Sequence, residues 1–258
     1  MKKDTLQNKA NLTVLRAKHL GMCFGVRDAI TLAKRVVKSR PLTVLGELVH
    51  NATVLDDLRG EGVQFETLAS DVKTETVMIT AHGASNRTKV RARESGLKLR
   101  DATCPLVHHA HKQVRQLVED GYHPVVIGRR GHVEVRGLTE DLSEHDVVLS
   151  EDDIDALSLR RRYGVVAQTT QPIARVLELV DYLKNRFPAA EVRFEDTVCQ
   201  PTKQRQSAAV ELAKRSDVVL VVGGATPTNL PRPAGSIVAK FIMYRGRAMF
   251  GRNGWRRR

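Results

Sequence analysis

The stretch Asp101-Ala-Thr-Cys104-Pro-Leu-Val107 joins a short β-like segment to an amphipathic helix. Proline is favoured at the first position of a helix, so this helix is predicted to begin directly after Cys104. The same setting recurs at Cys23 and Cys199, the other two of the three cysteines in the sequence. Each cysteine is predicted to follow a short strand and to precede a helix. We therefore expect three similar units, each of which places one thiol at a helix start.

Apolar residues alternate between short β-branched runs and stretches with a helical period along most of the chain. This alternation is typical of an α/β protein with a largely parallel sheet. The predicted strands cover residues 13–17, 42–45, 76–81, 124–127, 163–167, 192–195 and 217–222. The predicted helices cover Val26–Lys38, Ala52–Arg59, Lys89–Glu94, Leu106–Asp120, Ile173–Arg186 and Thr202–Arg215.

Division of the chain before each cysteine-bearing strand gives predicted units at 1–97, 98–191 and 192–258. The third unit is expected to be incomplete, because the residues after Gly224 contain no second β-α repeat. A basic tail is predicted from about residue 230, where Leu-Pro-Arg-Pro interrupts the α/β pattern. One interpretation is a truncated or altered C-terminal end, which would leave a catalytically impaired protein.

The positive charge is concentrated at the end of the sequence. The formal net charge is +13, yet residues 230–258 hold eight basic residues and no acidic ones. Phe250 and Trp255 stand among these arginines, so a basic protein that binds nucleic acid through its tail is an open alternative. The remaining residues carry too little excess charge to favour nucleic acid as a partner.

No stretch of the sequence predicts a membrane span or a secretory signal. The longest apolar run, Val218–Ala225, is far shorter than the roughly 18 residues that a membrane helix needs. The initial Met-Lys-Lys is not followed by an apolar run. We expect a cytoplasmic location, where disulfides are rare and metal-binding or catalytic roles for cysteine gain weight.

The three cysteines are candidate metal ligands. A thiolate at a helix N-terminus is stabilised by unpaired backbone N–H groups and by the helix dipole. Their spacing lacks the paired ligands of common zinc sites and the local run of small ferredoxins. What remains is a metal centre assembled from distant segments. An iron–sulfur cube with three protein thiolates would leave one iron open, and an open iron can act as a Lewis acid. A zinc-stabilised protein that uses the same thiolates is an open alternative.

Three histidines stand at predicted strand ends: His50, His82 and His132. Glycines beside His82 and His132 allow the backbone to approach a ligand closely. Protonated imidazoles together with helix N-termini would suit a phosphate or diphosphate. The run His108-His109-Ala-His111 is interpreted instead as a solvated or packing helix segment, because two ligands rarely suffice for a metal.

Glu134 is a candidate proton donor. It stands two residues after His132 in a segment predicted to be extended, so the two side chains are expected on one side. Burial near a metal site would raise the pKa of this carboxyl group. A surface glutamate paired with Arg129 or Arg136 is the open alternative. Thr169, which follows a predicted strand, is a candidate to orient substrate or relay a proton.

Seven ordered motifs together resemble the LytB/IspH family of hydroxymethylbutenyl diphosphate reductases. The motifs are Gly21-Met-Cys23-Phe-Gly-Val26, Glu47-Leu-Val-His50-Asn51, Ala81-His82-Gly83, Asp101-Ala-Thr-Cys104-Pro-Leu-Val107, Gly131-His132-Val-Glu134-Val135, Gln168-Thr169-Thr170 and Asp196-Thr-Val-Cys199. The resemblance runs from about residue 13 to residue 224, and motifs this numerous and ordered are highly specific.

The resemblance implies a trefoil of three α/β units around a central cluster. It implies a cytoplasmic oxidoreductase that converts 4-hydroxy-3-methylbut-2-enyl diphosphate to isopentenyl and dimethylallyl diphosphates in the non-mevalonate pathway. It implies that ferredoxin or flavodoxin donates the electrons. By matching position, it implies a [4Fe-4S] cluster on Cys23, Cys104 and Cys199, diphosphate contacts from His50, His82 and His132, and proton delivery by Glu134 beside Thr169.

The sequence departs from the family pattern after Val-Val-Gly-Gly. The family has a serine- and asparagine-rich turn for the diphosphate there, whereas this chain reads Ala225-Thr-Pro227-Thr228-Asn229. Thr228 and Asn229 are candidates for part of that role. Pro227 has no hydroxyl and no backbone N–H to donate.

Overall fold

The computed structural model describes residues 13–223, 240–245, 250–251 and 254–255. The strands are β1 (Leu42–Leu45), β2 (Val63–Glu66), β3 (Thr76–Ile79), β4 (Lys98–Asp101), β5 (His123–Ile127), β6 (Asp146–Val148), β7 (Arg162–Ala167), β8 (Glu191–Phe194), β9 (Val218–Gly223), β10 (Lys240–Arg245), β11 (Phe250–Gly251) and β12 (Gly254–Trp255). The helices are α1 (Phe24–Val37), α2 (Ala52–Gly60), α3 (Asn86–Glu94), α4 (Pro105–Glu119), α5 (Val133–Thr139), α6 (Glu151–Asp155), α7 (Ile173–Arg186) and α8 (Gln200–Ala213), with a 3-10 turn at Ala69–Asp71.

Two four-stranded sheets repeat one topology. The first has the order β2-β1-β3-β4 and the second the order β6-β5-β7-β8. All pairings within them are parallel. In a parallel sheet the carboxyl ends of the strands meet at one edge, so the loops that follow the central strands gather there. This edge carries most of the candidate site residues.

Helices cover both faces of the central strands, which explains their apolar composition. Leu42 and Val44 of β1, with Met78 of β3, are buried in one core with Leu58 of α2. In the second sheet, Val165 of β7 is buried in a core with the inner face of α7. These two cores hold the sheet edges on which the site is built.

The α/β class with parallel sheets is confirmed, whereas the trefoil arrangement stays a prediction. Strand 42–45 and helix Ile173–Arg186 have their predicted bounds. The predicted strand 13–17 is wrong, because those residues form no strand and Val14 and Leu15 are exposed. The sequence did not predict β2, β6, α5 or α6, all of which are short, and it predicted β4 only as a strand before Cys104 without bounds.

The strand before a cysteine is the last strand of the preceding sheet. β4 pairs with β3, and β8 pairs with β7. The expected unit boundaries at 97/98 and 191/192 therefore fall beside or within an edge strand. The division into three units stays a prediction.

Beyond β9 the structure contains a strand that the sequence pattern did not predict. β10 pairs in parallel with β9, from Lys240 opposite Val218 to Arg245 opposite Gly223. Its apolar run, Phe241-Ile-Met-Tyr244, lies within the basic tail, where charge obscured the β pattern. β10 is one strand and not a β-α repeat, so the expectation that the third unit is incomplete stays a prediction. Among the described residues, no helix is long and apolar enough to cross a membrane.

Candidate active site

Each of the three cysteines occupies the residue directly before a helix. Cys23 precedes α1, Cys104 precedes α4 and Cys199 precedes α8. Cys104 and Cys199 also follow edge strands as predicted, whereas Cys23 follows residues that form no strand. All three are partly buried free thiols. The predicted helix starts are thus confirmed at all three positions.

Cys104 and Cys199 are fixed by the same backbone contact. The N–H of Cys104 donates to the carbonyl of Ala81 at 3.1 Å, and the N–H of Cys199 donates to the carbonyl of Thr169 at 2.9 Å. Ala81 follows β3 by two residues, and Thr169 follows β7 by two residues. The repeated sheet topology therefore places both cysteines at equivalent points beside a central strand.

An aspartate three residues before each of these cysteines shapes the turn into the helix. Asp101 Oδ1 accepts the N–H of Thr103 at 2.9 Å, and Asp196 Oδ1 accepts the N–H of Val198 at 3.1 Å. Such Asx turns fix the backbone conformation directly before Cys104 and Cys199. The matched position of the two aspartates is visible in the sequence, but no role was predicted for them.

Each of these aspartates is also paired with a lysine. Lys89 Nζ lies 2.8 Å from Asp101 Oδ2, and Lys203 Nζ lies 2.5 Å from Asp196 Oδ2. Lys89 belongs to α3 and Lys203 to α8, so the same pairing comes from different elements.

The thiols lie close enough to interact with one another. Burial raises the pKa of Cys104 and of Cys199, and in both cases the neighbouring thiol of Cys23 contributes in the same direction. The N–H groups of Leu106 and Val107 act against this shift at Cys104 but do not overcome it. The N–H groups at the helix start therefore stabilise the Cys104 and Cys199 thiolates as expected, but desolvation by burial outweighs them in both cases.

Gly25 brings the start of α1 against Cys104. A Cβ at residue 25 would lie 2.5 Å from Cys104 Sγ, so only glycine fits there. Among the described residues, no group of three or more His, Cys, Asp or Glu side chains is arranged around a single metal ion. The choice between zinc and an iron–sulfur cluster at these thiols stays a prediction.

The three predicted histidines form one cluster. The ring centroids of His50 and His82 are 4.8 Å apart, those of His50 and His132 are 5.4 Å apart, and those of His82 and His132 are 5.6 Å apart. Nε2 of His50 lies 3.4 Å from Nε2 of His132. Three imidazoles that face each other at this distance offer several N–H donors to one anion.

Burial lowers the pKa of His82 to about 3, and its two histidine neighbours add to the effect. Burial also lowers the pKa of His132 to about 4, with contributions from His50 and Arg129. These two rings are therefore neutral near pH 7. An anion between them would favour their protonated forms.

Glu134 is almost completely buried, with 1% of its surface exposed. Burial raises the pKa of its carboxyl group to about 7. Its Oε1 accepts the N–H of Thr169 at 2.6 Å, and its Oε2 accepts the Thr169 hydroxyl at 3.1 Å. The surface alternative with Arg129 or Arg136 is therefore wrong.

The backbone at Glu134 is helical and not extended as predicted. His132 is the residue that precedes α5, and its Nδ1 accepts the N–H of Glu134 at 3.2 Å. α5 has seven residues, too few for a periodic pattern to distinguish it from an extended segment. His132 and Glu134 are nevertheless close, because a residue before a helix bonds the N–H groups of its first turn.

Thr169 links the proton-donor candidate to a cysteine. Its N–H and hydroxyl donate to Glu134, while its carbonyl accepts the N–H of Cys199. Thr228 and Asn229, the remaining candidates, lie outside the described residues.

The other histidines on α4 behave as a packing segment, as expected. His108 and His109 are exposed, whereas Nε2 of His111 is buried without a hydrogen-bond partner. A Cβ at Gly83, where φ is +77°, would lie 3.2 Å from that nitrogen. His111 therefore packs behind the loop that carries His82.

A cleft of about 1360 Å³ opens beside the histidine cluster. His50 and His132 line it, together with Gly83 and Gly131. Five arginines also line it: Arg59, Arg91, Arg129, Arg130 and Arg136. The cleft is large enough for a small anion to reach the histidines.

Comparisons with known proteins agree with this arrangement. The family model described as "LytB protein" matches residues 14–232. A 4-hydroxy-3-methylbut-2-enyl diphosphate reductase of Methylibium petroleiphilum is 37% identical over 225 residues, which span 85% of this chain and 68% of that protein. The protein of the same name from Symbiobacterium thermophilum is 36% identical over 234 residues, which span 86% of this chain and 79% of that protein.

Two solved structures are similar in fold and in sequence. The E-1-hydroxy-2-methyl-but-2-enyl-4-diphosphate reductase of Plasmodium falciparum superposes with a TM-score of 0.75 at 32% identity, covering 81% of this chain and 68% of that one. A structure described as (E)-4-hydroxy-3-methyl-but-2-enyl diphosphate reductase, the terminal enzyme of the non-mevalonate pathway, has a TM-score of 0.68 at 30% identity, covering 89% and 92%. These similarities favour neither the nucleic-acid-binding alternative nor an impaired protein. The chain belongs to the LytB family.

Proposed function

We propose that this chain is a 4-hydroxy-3-methylbut-2-enyl diphosphate reductase. The reaction takes the allylic alcohol, two electrons and two protons. It breaks the C–O bond, forms one C–H bond and releases water, which yields isopentenyl or dimethylallyl diphosphate. The observation that carries the proposal is the placement of a buried carboxyl group of raised pKa, Glu134, between the histidine cluster and Cys199.

The histidine cluster binds the diphosphate in this proposal. His50, His82 and His132 face one another within 5.6 Å between centroids, so one anion can accept hydrogen bonds from all three rings. Charge-assisted bonds of this kind are about twice as strong as neutral ones. Binding the remote diphosphate positions the alcohol group for reaction.

Cys23, Cys104 and Cys199 hold a [4Fe-4S] cluster in this proposal. The donor set fits such a cluster, because all three are free thiols at helix starts. When bound, the cluster supplies electrons and a Lewis-acidic iron. The pKa of Cys104 and Cys199 is raised, so binding requires both thiols to lose their protons.

Glu134 holds the proton that leaves with the hydroxyl group. A carboxyl group with a pKa of about 7 carries a proton on a large fraction of molecules near neutral pH. The Thr169 N–H holds Oε1, and the Thr169 hydroxyl lies beside Oε2, so the orientation of the carboxyl group is fixed. Hydroxide is a poor leaving group, and a proton from this position allows it to leave as water.

Ferredoxin or flavodoxin is the proposed electron donor, as the resemblance to the LytB/IspH family implies. The cytoplasmic location and the roles of Thr228 and Asn229 stay predictions.

The test is turnover of the allylic diphosphate by anaerobically reconstituted protein with a chemical reductant. We expect iron and sulfide in about a 1:1 ratio and formation of both five-carbon diphosphates. E134Q should lower kcat by at least a hundredfold, which matches the loss of a general acid, at unchanged iron content. E119Q, an exposed glutamate on α4, is the matched control and should retain wild-type activity.

A protein that holds the full cluster but forms no product would contradict the proposed reaction. Wild-type kcat in E134Q would contradict the role of Glu134.

A further inference from the structure

We propose that Glu140 and Asp141 are positioning residues that hold the loop carrying His82 against the helix carrying His132. We refer to residues 80–85 as the His82 loop and to residues 140–141 as the acidic clamp. The inference rests on the proposed function in one respect, since it assumes that these histidines bind the diphosphate.

Asp141, which lies outside α3, caps the N-terminus of that helix. Its Oδ2 accepts the N–H of Asn86 at 2.6 Å, and its Oδ1 accepts the N–H of Arg87 at 3.0 Å. The first N–H groups of a helix have no partner within the helix, and the dipole favours a carboxylate beside them. Asp141 therefore fixes the point at which the His82 loop enters α3.

Glu140 binds the end of the His82 loop itself. Its Oε2 accepts the hydroxyl of Ser85 at 2.5 Å and the hydroxyl of Thr88 at 3.1 Å. Ser85 is fully buried, and its Oγ also accepts the N–H of Thr88 at 3.0 Å. Both hydrogen-bonding roles of the Ser85 hydroxyl are thus used at this junction.

Backbone packing completes the contact between the two segments. A Cβ at Gly137 of α5 would lie 3.5 Å from Cα of Ala84, so helix and loop touch with no side chain between them. The contacts join residues 84–88, which lie between β3 and β4 of the first sheet, to residues 137–141, which lie between β5 and β6 of the second sheet.

The clamp lies at the opposite end of α5 from His132. α5 is only seven residues long, and Ser85 follows His82 by three residues. Fixing the far end of α5 against Ser85 therefore restricts how far the rings of His82 and His132 can separate from their 5.6 Å centroid distance. Glu140 and Asp141 take no part in the histidine cluster itself, so their effect on the reaction is one of position.

The test compares Asp141→Ala and Asp141→Asn with wild type and with the exposed control E119Q, all as full-length cluster-loaded protein. The readouts are amide hydrogen exchange at Asn86 and Arg87, the Kd for inorganic diphosphate, and KM and kcat for the allylic diphosphate. We expect Asp141→Ala to speed exchange and to raise Kd and KM about tenfold, with a much smaller change in kcat. Asp141→Asn keeps one acceptor oxygen and should fall between Asp141→Ala and wild type.

Three results would each contradict a different part of the inference. Unchanged amide exchange at Asn86 and Arg87 in Asp141→Ala would show that Asp141 does not hold the N-terminus of α3. Faster exchange with unchanged Kd, while His82→Ala loses diphosphate binding, would remove the positioning role and leave the proposed function intact. A His82→Ala variant that binds diphosphate like wild type would remove the histidine assignment, and with it the positioning role that depends on it.

Discussion

Gly25 is the residue at which the chain leaves no room for a side chain beside a proposed cluster ligand. A Cβ there would lie 2.5 Å from Sγ and 3.0 Å from Cβ of Cys104, so G25A must displace that cysteine. We expect G25A to retain less than half of the wild-type iron after reconstitution, with an unchanged far-UV circular dichroism spectrum. A methyl group added at Gly60 would meet no atom within 4 Å, which makes G60A the matched control. Wild-type iron content in G25A would contradict the placement of the ligand.

Glu134 was predictable from the sequence in its chemistry but not in its contacts. Its raised pKa and its closeness to His132 were both expected, but the extended backbone from which that closeness was predicted is wrong. The hydrogen bond between Thr169 and Glu134 was not predicted from the residues, because it joins two positions that are 35 apart in the sequence. Distances of this kind depend on sheet register, which a single sequence does not display.

At the scale of elements, the same Asx turn occurs before Cys104 and before Cys199, and its contribution to the free energy of unfolding can be measured. In D101A and D196A, the N–H of Thr103 or Val198 loses its acceptor, which costs about 1 kcal/mol of unfolding free energy. D101N and D196N keep the acceptor oxygen and lose only the charge that pairs with Lys89 or Lys203, whose side chains are 13% and 26% exposed. Urea titration of the cluster-free proteins should rank each asparagine variant above its alanine partner. Equal losses in both variants would assign the stabilisation to the lysine pairs instead.

The elements that the sequence did not predict share a physical cause. β6 has three residues and α5 has seven, so both are too short to develop a periodic pattern. The helices after the cysteines were predictable, because long amphipathic patterns and proline near the helix start act locally. The acidic clamp was not predictable, since Glu140-Asp141 reads as an ordinary exposed pair until the two sheets are placed side by side.

At the scale of the whole molecule, buried titratable groups give opposite dependences of stability on pH. The pKa of His82 falls to about 3 and that of His132 to about 4, both below the usual 6.5. The unfolded chain therefore binds more protons there, and the stability from these rings is lost as pH falls below 6.5. Glu134 acts in the other direction, because its pKa rises from 4.5 to about 7. Its contribution is fully present below pH 4.5 and is lost as pH rises through 7.

The contribution of Glu134 can be isolated by E134Q, which keeps an acceptor for the Thr169 N–H and removes the titration. Each pH unit of pKa shift corresponds to about 1.4 kcal/mol, so wild type should lose about 3 kcal/mol relative to E134Q between pH 4.5 and pH 7.5. Urea midpoints of the cluster-free proteins across this range measure the difference. Parallel pH curves for the two proteins would mean that Glu134 ionises at its ordinary pKa. In that case the carboxyl group would hold no proton near neutral pH, and another group would have to protonate the departing hydroxyl.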